Sequence, residues 1–225
     1  EPPAPVTEPE KTFEEVLDEH PVSIQVNGQW QTFPNAKAAE EASYEEYKAN
    51  LRRNAKNFRI TDEHLGEGGP KAKFQANVNA IRLLKELEAA GQQASPEQQE
   101  VLSRYVGWGG LSDAFDPEKP AWALEYAQLK ELLTPEEYAA ARSSTLNAHY
   151  TSPTVIQAIY EAVGRMGFET GNILEPSMGV GNFFGMLPEE MRNSRLYGVE
   201  LDPVSGRIAK QLYPKADITV GGFET

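Results

Sequence analysis

The stretch "NILEPSMGVGNFFG", residues 172–185, decides how the C-terminal third of the chain is read. A short apolar run ends in an acid and a proline. Two glycines follow one residue apart, and then two phenylalanines. The pattern reads as a strand, a glycine loop and the start of a helix. Working outward, a helical face of Val155, Ile156, Ile159, Tyr160, Val163 and Met166 precedes it. "RLYGVE" (195–200) follows as a strand, Asp202-Pro203 opens another helix, and "DITVG" (217–221) is a third strand. Strands alternating with helices over short connections imply parallel strands with right-handed crossovers, the start of a doubly wound α/β sheet. Such sheets bind ligands at the carboxyl ends of their strands. Glu175, Gly179, Gly181, Glu200 and Phe223 fall there.

Upstream the pattern differs. In "VSIQVNGQWQTF", Asn27-Gly28 signals a two-residue hairpin, because a type I′ turn needs positive φ at both central positions. A strict register puts Trp30 opposite the face of Val22, Ile24 and Val26, whereas Trp30 and Trp122 are read simply as core residues. "NAKAAEEASYEEYKANLRRNAKNF" predicts a helix with a basic end at Lys48, Arg52, Arg53 and Lys56. That end is either a solvated, dipole-compensating terminus or a DNA-facing patch. "LGEGGPK" (65–71) lacks the Lys-Ser/Thr of a phosphate loop and reads as punctuation. The next helix places Phe74, Val78, Ile81, Leu84 and Leu87 on one face, with Gly91 as its stop. Ser95-Pro96-Glu97-Gln98 predicts a capping box, followed by a core face of Val101, Leu102 and Tyr105. Thr134-Pro135-Glu136-Glu137 repeats the device and Ser152-Pro153 makes a third. In "VGWGG" (106–110) the flanking glycines either bring Trp108 to a base or cofactor, or bury it in a tight turn.

The bulk properties bound the function classes. The chain has 225 residues, 40% apolar and 24% charged, as an ordinary cored protein has. No run approaches the ~18 apolar residues of a membrane span, so no membrane partner is expected. There is no cysteine, and the three histidines have no metal-ligand spacing, so no metal is expected. Absence of cysteine fits a reducing, cytoplasmic setting. The net charge of −13 argues against coating nucleic acid by charge alone. Residues 1–20 hold seven acids and one lysine, an acidic Pro/Glu-rich leader read as disordered linker. A chain that begins without methionine in such a segment is expected to belong to something longer. The organisation expected is a leader over 1–20, a hairpin plus mostly helical module over 21–147, and the α/β part over 148–225.

Three ligands commonly use a glycine loop of this kind. A dinucleotide fingerprint needs a third glycine where Phe184 stands, and a Walker loop needs Lys-Ser/Thr. A bland α/β domain with an incidental Gly-x-Gly stays open. The two acids say more. Glu200, about 20 residues past the glycines, is placed to accept from paired ribose hydroxyls. Glu175 then faces a cationic part such as an α-amino group. Ribose, a cationic amino acid and no phosphate describe S-adenosylmethionine. The backbone from Gly179 to Gly181 would approach its methionine part, where a Cβ collides.

Here a resemblance adds detail. "ILEPSMGVGNFF" with "GVELDP" resembles motifs I and II of amino-methylating DNA methyltransferases, particularly the N6-adenine class, and "HYTSP" (149–153) resembles the motif ahead of their first strand. The resemblance implies the first half, three parallel strands, of a Rossmann-like methyltransferase fold. By it, Tyr150 and Thr151 border the methionine, and Pro176, Asn182 and Phe183 belong to the cofactor loop. Glu200 takes the ribose, Leu201 lies against the adenine and Phe223 covers its other face. Where the family's third motif reads Asp-Phe, this chain has Gly222-Phe223. Residues 57–115 are also similar to the region ahead of the methylase domain in very large methylase–helicase proteins of bacterial plasmids, phages and conjugative elements. The partners this implies are DNA and the remaining methyltransferase and helicase-like domains of a parent chain.

The family's catalytic tetrapeptide, Asn/Asp-Pro-Pro-aromatic, occurs nowhere in the sequence. No catalytic residue is therefore assigned, and the chain alone is expected not to methylate. In the family's strand order the missing strand pairs beside the first, so 172–175 is expected to be an open edge. The alternative is a non-catalytic DNA- or protein-interaction scaffold of the same large protein.

Overall fold

A computed structural model of the chain describes residues 20–62 and 64–224, without the side chains of residues 48 and 51–54. The expected leader, apart from His20, lies outside the described residues, as do the side chains of Lys48, Arg52 and Arg53 in the basic helix end. The chain divides into two compact units, residues 1–54 and 55–225.

In the first unit, β1 (Val22–Val26) and β2 (Gln29–Phe33) form an antiparallel hairpin, followed by α1 (Ala36–Asn54). Asn27 and Gly28 take φ of 52° and 75°, the I′ geometry that matches strand twist. Gln25 pairs with Trp30 and Ile24 with Gln31, so Trp30 shares the face of Ser23 and Thr32. Trp30 is 72% exposed, which corrects its reading as a core residue. The asparagine at 35 starts α1, its Oδ1 accepting from the Ala38 N–H at 2.8 Å.

The second unit joins helices and sheet around one core. Helix α2 (Pro70–Ala89) buries Phe74, Val78, Ile81, Leu84 and Leu87 along one stripe. It ends as expected at Gly91, φ 61°, with Gln92 N–H donating to Leu87 O and Gly91 N–H to Glu88 O. Helices α3 (Pro96–Ser103) and α5 (Pro135–Ser144) both start on complete capping boxes, at Ser95/Gln98 and Thr134/Glu137. Between them runs α4 (Ala123–Leu132). Two expectations need correction. Ser152 precedes α6 (Pro153–Arg165) but makes no side-chain cap, and Val101 on α3 is 39% exposed.

Trp108 is 1% exposed and packs edge-on against Phe74, Tyr105 and Phe115, which favours the buried reading. Asn77, fully buried on α2, pins its loop. The Asn77 Oδ1 accepts from Val106 N–H at 2.9 Å and its Nδ2 donates to Gly107 O at 2.6 Å.

The sheet is parallel, in the order β3 (Asn172–Glu175), β4 (Arg195–Glu200), β5 (Asp217–Val220). A single helical turn, α7 (Asn182–Gly185), follows the glycine loop, and α8 (Pro203–Leu212) joins β4 to β5. The result is a mixed α/β architecture compatible with half of a Rossmann-like sheet. The expected boundary at 147/148 falls inside the second unit, because α8 packs against α2, α3 and α5. A buried ionic knot reinforces that packing: Glu137 of α5 accepts from Lys85 of α2 at 2.8 Å and from Arg207 of α8.

Strand β3 is one of the two sheet edges among the described residues, and Leu174 on it is 52% exposed. The neighbouring α6 buries Ile156 and Tyr160, whereas Val155, Ile159 and Met166 of the same helical pattern are exposed. Nothing described packs over that side, so an amphipathic stripe stays half uncovered.

Candidate functional site

The site grows from the ends of β3 and β4. Past Glu175 the chain turns sharply, with Gly179 at φ 56° and Gly181 at φ 85°. Both values suit glycine and strain other residues. Met178 N–H donates to Val199 O at 3.0 Å, tying the loop to β4. A Cβ on Gly179 would meet the Tyr150 ring at 2.7 Å, and one on Gly181 would meet Tyr213 at 2.5 Å. The glycines therefore admit aromatic rings of this protein.

Glu200 closes the loop. Its Oε2 accepts from Gly179 N–H at 2.6 Å and its Oε1 from Asp202 N–H at 2.7 Å. Burial raises its carboxyl and these backbone donors oppose that. Glu175 has no such help. Its Oε2 is buried without a partner. Burial, and then the charge of Glu200, pushes the Glu175 carboxyl up to about 8. Asp202 caps α8, its Oδ1 accepting from Ser205 N–H at 2.7 Å, while its Oδ2 is also buried and unpartnered. Beside them Tyr150 and Ser205 share a hydroxyl hydrogen bond of 3.2 Å.

These groups line a cavity of about 470 Å³. Three carboxylates face it, from Glu175, Glu200 and Asp202, and no lysine or arginine does among the described residues. Of the residues expected from sequence, Tyr150, Thr151, Glu175, Gly179, Asn182, Phe183, Glu200 and Leu201 come together there. Three do not line it. Pro176 lines the apolar groove along β3, Gly181 packs on Tyr213, and Phe223 is 61% exposed. Tyr105, Asp202 and Ser205 line the cavity and were not singled out as ligand residues. Asp202 was legible only as a helix start. Tyr105 was legible only as a core residue, since its place at the cavity depends on how the stretch after α3 meets the sheet.

Among the described residues no group of His, Asp and Glu could hold a metal ion, and no helix is long and apolar enough to cross a membrane.

No protein-family model and no solved structure matches the chain. Two curated relatives do. The "Defense against restriction protein B" of Escherichia phage P1 is 25% identical over 159 residues, 71% of this chain and 6% of that protein. The "Type II methyltransferase M.CvrRI" of Paramecium bursaria Chlorella virus XZ-6E is 37% identical over 76 residues, 34% of this chain and 19% of that protein. The chain thus spans a small part of each relative's length. This weak, partial homology is consistent with a methylase-related region.

Proposed function

We propose that the second unit binds S-adenosylmethionine and is the cofactor-binding part of a DNA adenine-N6 methyltransferase within a larger multidomain mobile-element protein. The observation that carries this reading is the acidic lining of the cavity: three acidic side chains and no described lysine or arginine, at the carboxyl ends of parallel strands. A phosphate-bearing dinucleotide would meet three acidic side chains and no described lysine or arginine there, and the loop lacks the third glycine of its fingerprint. A ligand with a cationic amino-acid end and free ribose hydroxyls meets complementary groups.

Each residue then has a task. A carboxylate has about four acceptor sites. Two on Glu200 are taken by Gly179 and Asp202, which leaves one on each oxygen for two ribose hydroxyls. The unpartnered Glu175 Oε2 would accept from the α-ammonium group. Leu201, 74% exposed, offers an apolar surface to the adenine. Bound there, the cofactor supplies an electrophilic methyl group. The chain's own residues hold it and shield one side. The tetrapeptide that would accept hydrogens from a target amino group is not among these residues, so methyl transfer is assigned to the larger protein. The similarity to a type II methyltransferase supports the reading.

Calorimetric titration with S-adenosylhomocysteine tests it. The chain is expected to bind, and Glu200→Ala to weaken binding by about 100-fold, as loss of two hydrogen bonds to a charged acceptor does. No binding by the unaltered chain, or equal binding by the variant, would overturn the reading.

A further inference from the structure

Part of the cavity wall comes from outside the sheet. Tyr105, just past α3, is 1% exposed; the Ser205 and Trp108 side chains stand near its hydroxyl, yet it makes no hydrogen bond of good geometry. Burying an unpaired hydroxyl is costly, so such a group needs an explanation. It is firmly held. The peptide groups of Val106 and Gly107 are pinned by Asn77, and the Tyr105 ring stands edge-on to Trp108 at 6.3 Å. Burial, and then the charge of Asp202, keeps the phenol protonated, so it is a standing donor.

Its position is specific. Tyr105, Tyr150, Thr151 and Asn182 line the 470 Å³ cavity and also an adjoining one of about 340 Å³. Tyr105 therefore lies between the two cavities, with its hydroxyl just behind the wall that they share with Tyr150 and Thr151. The S-adenosyl reading gives that side to the amino-acid end of the ligand. No lysine or arginine lines the larger cavity among the described residues, while His149 lines both cavities and Lys73 the adjoining one, so the phenol is one of few donors that a ligand carboxylate meets in the larger cavity.

We propose that Tyr105 donates a hydrogen bond to the carboxylate at the amino-acid end of the ligand, which makes the helical stretch before the sheet part of the binding site. The proposal rests on the S-adenosyl reading and adds a contact that lies outside the glycine-loop half. An unsatisfied donor held rigid in the free protein costs little further ordering when the ligand arrives.

The test titrates the unaltered chain, Tyr105→Phe and Glu200→Ala with S-adenosylhomocysteine and with 5′-methylthioadenosine, which keeps the nucleoside and lacks the amino acid. Tyr105→Phe is expected to weaken S-adenosylhomocysteine by about tenfold and leave methylthioadenosine unchanged. Its melting temperature should not fall, because the variant removes an unpaired buried group. Unchanged affinity for S-adenosylhomocysteine would overturn the proposal and leave the hydroxyl to a buried water. An equal loss for both ligands would also overturn it, placing the contact on the nucleoside. Glu200→Ala should weaken both ligands, which separates the two readings. If the unaltered chain binds neither, the S-adenosyl reading falls and this contact with it.

Discussion

The two sides of the second unit obey the same amphipathic rule with different completeness. Where α2 and α8 meet, apolar positions reach full burial: Val78, Ile81, Leu84 and Ile208 are all 0% exposed. Along β3 and α6, Leu174, Ile159 and Val155 are 52, 41 and 48% exposed. Periodicity marks both stripes equally, because it records which face is apolar and says nothing of what covers it. The buried side also carries the polar anchors Asn77 and Glu137, while the open side is held by the Tyr160 hydroxyl donating to Phe183 O at 2.8 Å. Stability should therefore be concentrated on the side where helices meet the sheet, and ligand chemistry on the rim between.

Substitutions can break that contrast. Leu84→Ala should cost about 3 kcal/mol in urea unfolding, since it opens a cavity in a filled core. Leu174→Ala should cost under about 1 kcal/mol. Equal costs would mean that the β3 side is not open in solution. Asn77→Ala should cost about 2 kcal/mol, leaving Val106 N–H and Gly107 O unpaired. It should also weaken ligand binding if the loop holds Tyr105. Glu137→Gln, measured by the same unfolding, should cost about 2 kcal/mol, the partial exposure of Lys85 and Arg207 softening the loss of a buried ionic hub.

The smallest effect concerns pH. The folded Glu175 carboxyl holds its proton up to about 8, against 4.5 for an ordinary glutamate. Its contribution to stability is complete below the lower value and is lost as pH rises through the upper one. Unfolding at about pH 5 and about pH 9 should show that decline, and Glu175→Gln should flatten it. A cationic ligand would favour the ionised form, so binding should strengthen towards about pH 8 with proton release, seen by calorimetry in buffers of different ionisation heat.

Much of this architecture was legible in the sequence for local reasons. Asn27-Gly28, Ser95 to Gln98, Thr134 to Glu137 and Gly91 each encode a turn or helix end within a few residues. The strands were legible as apolar runs bounded by turn residues. Of the site, the acids at the strand ends could be read because topology alone sends Glu175 and Glu200 to one rim. Tyr105 was legible as a core residue but not as part of the cavity wall, and Asp202 Oδ2 was not legible, since both places depend on contacts across about a hundred residues. Trp30 and Val101 were misread because hydrophobic character was taken for burial. Only the partner surface decides that.

Residues 57–60 form a strap whose consequence is kinetic. Phe58 N–H donates to Leu212 O at 2.7 Å, Ile60 N–H to Gly185 O at 2.9 Å, and Asn57 Oδ1 accepts from Lys215 N–H at 3.0 Å. Arg59 reaches Leu187 O in the same stretch. An early segment thus waits for partners made more than a hundred residues later, and closing so long a loop slows folding. During synthesis the helices can form as they emerge, but the docking of α2, α3 and α5 on α8 waits until α8 is out. A piece beginning after residue 147 would lose the strap, together with the helices that bury Ile208 and Leu212, and should be prone to aggregate.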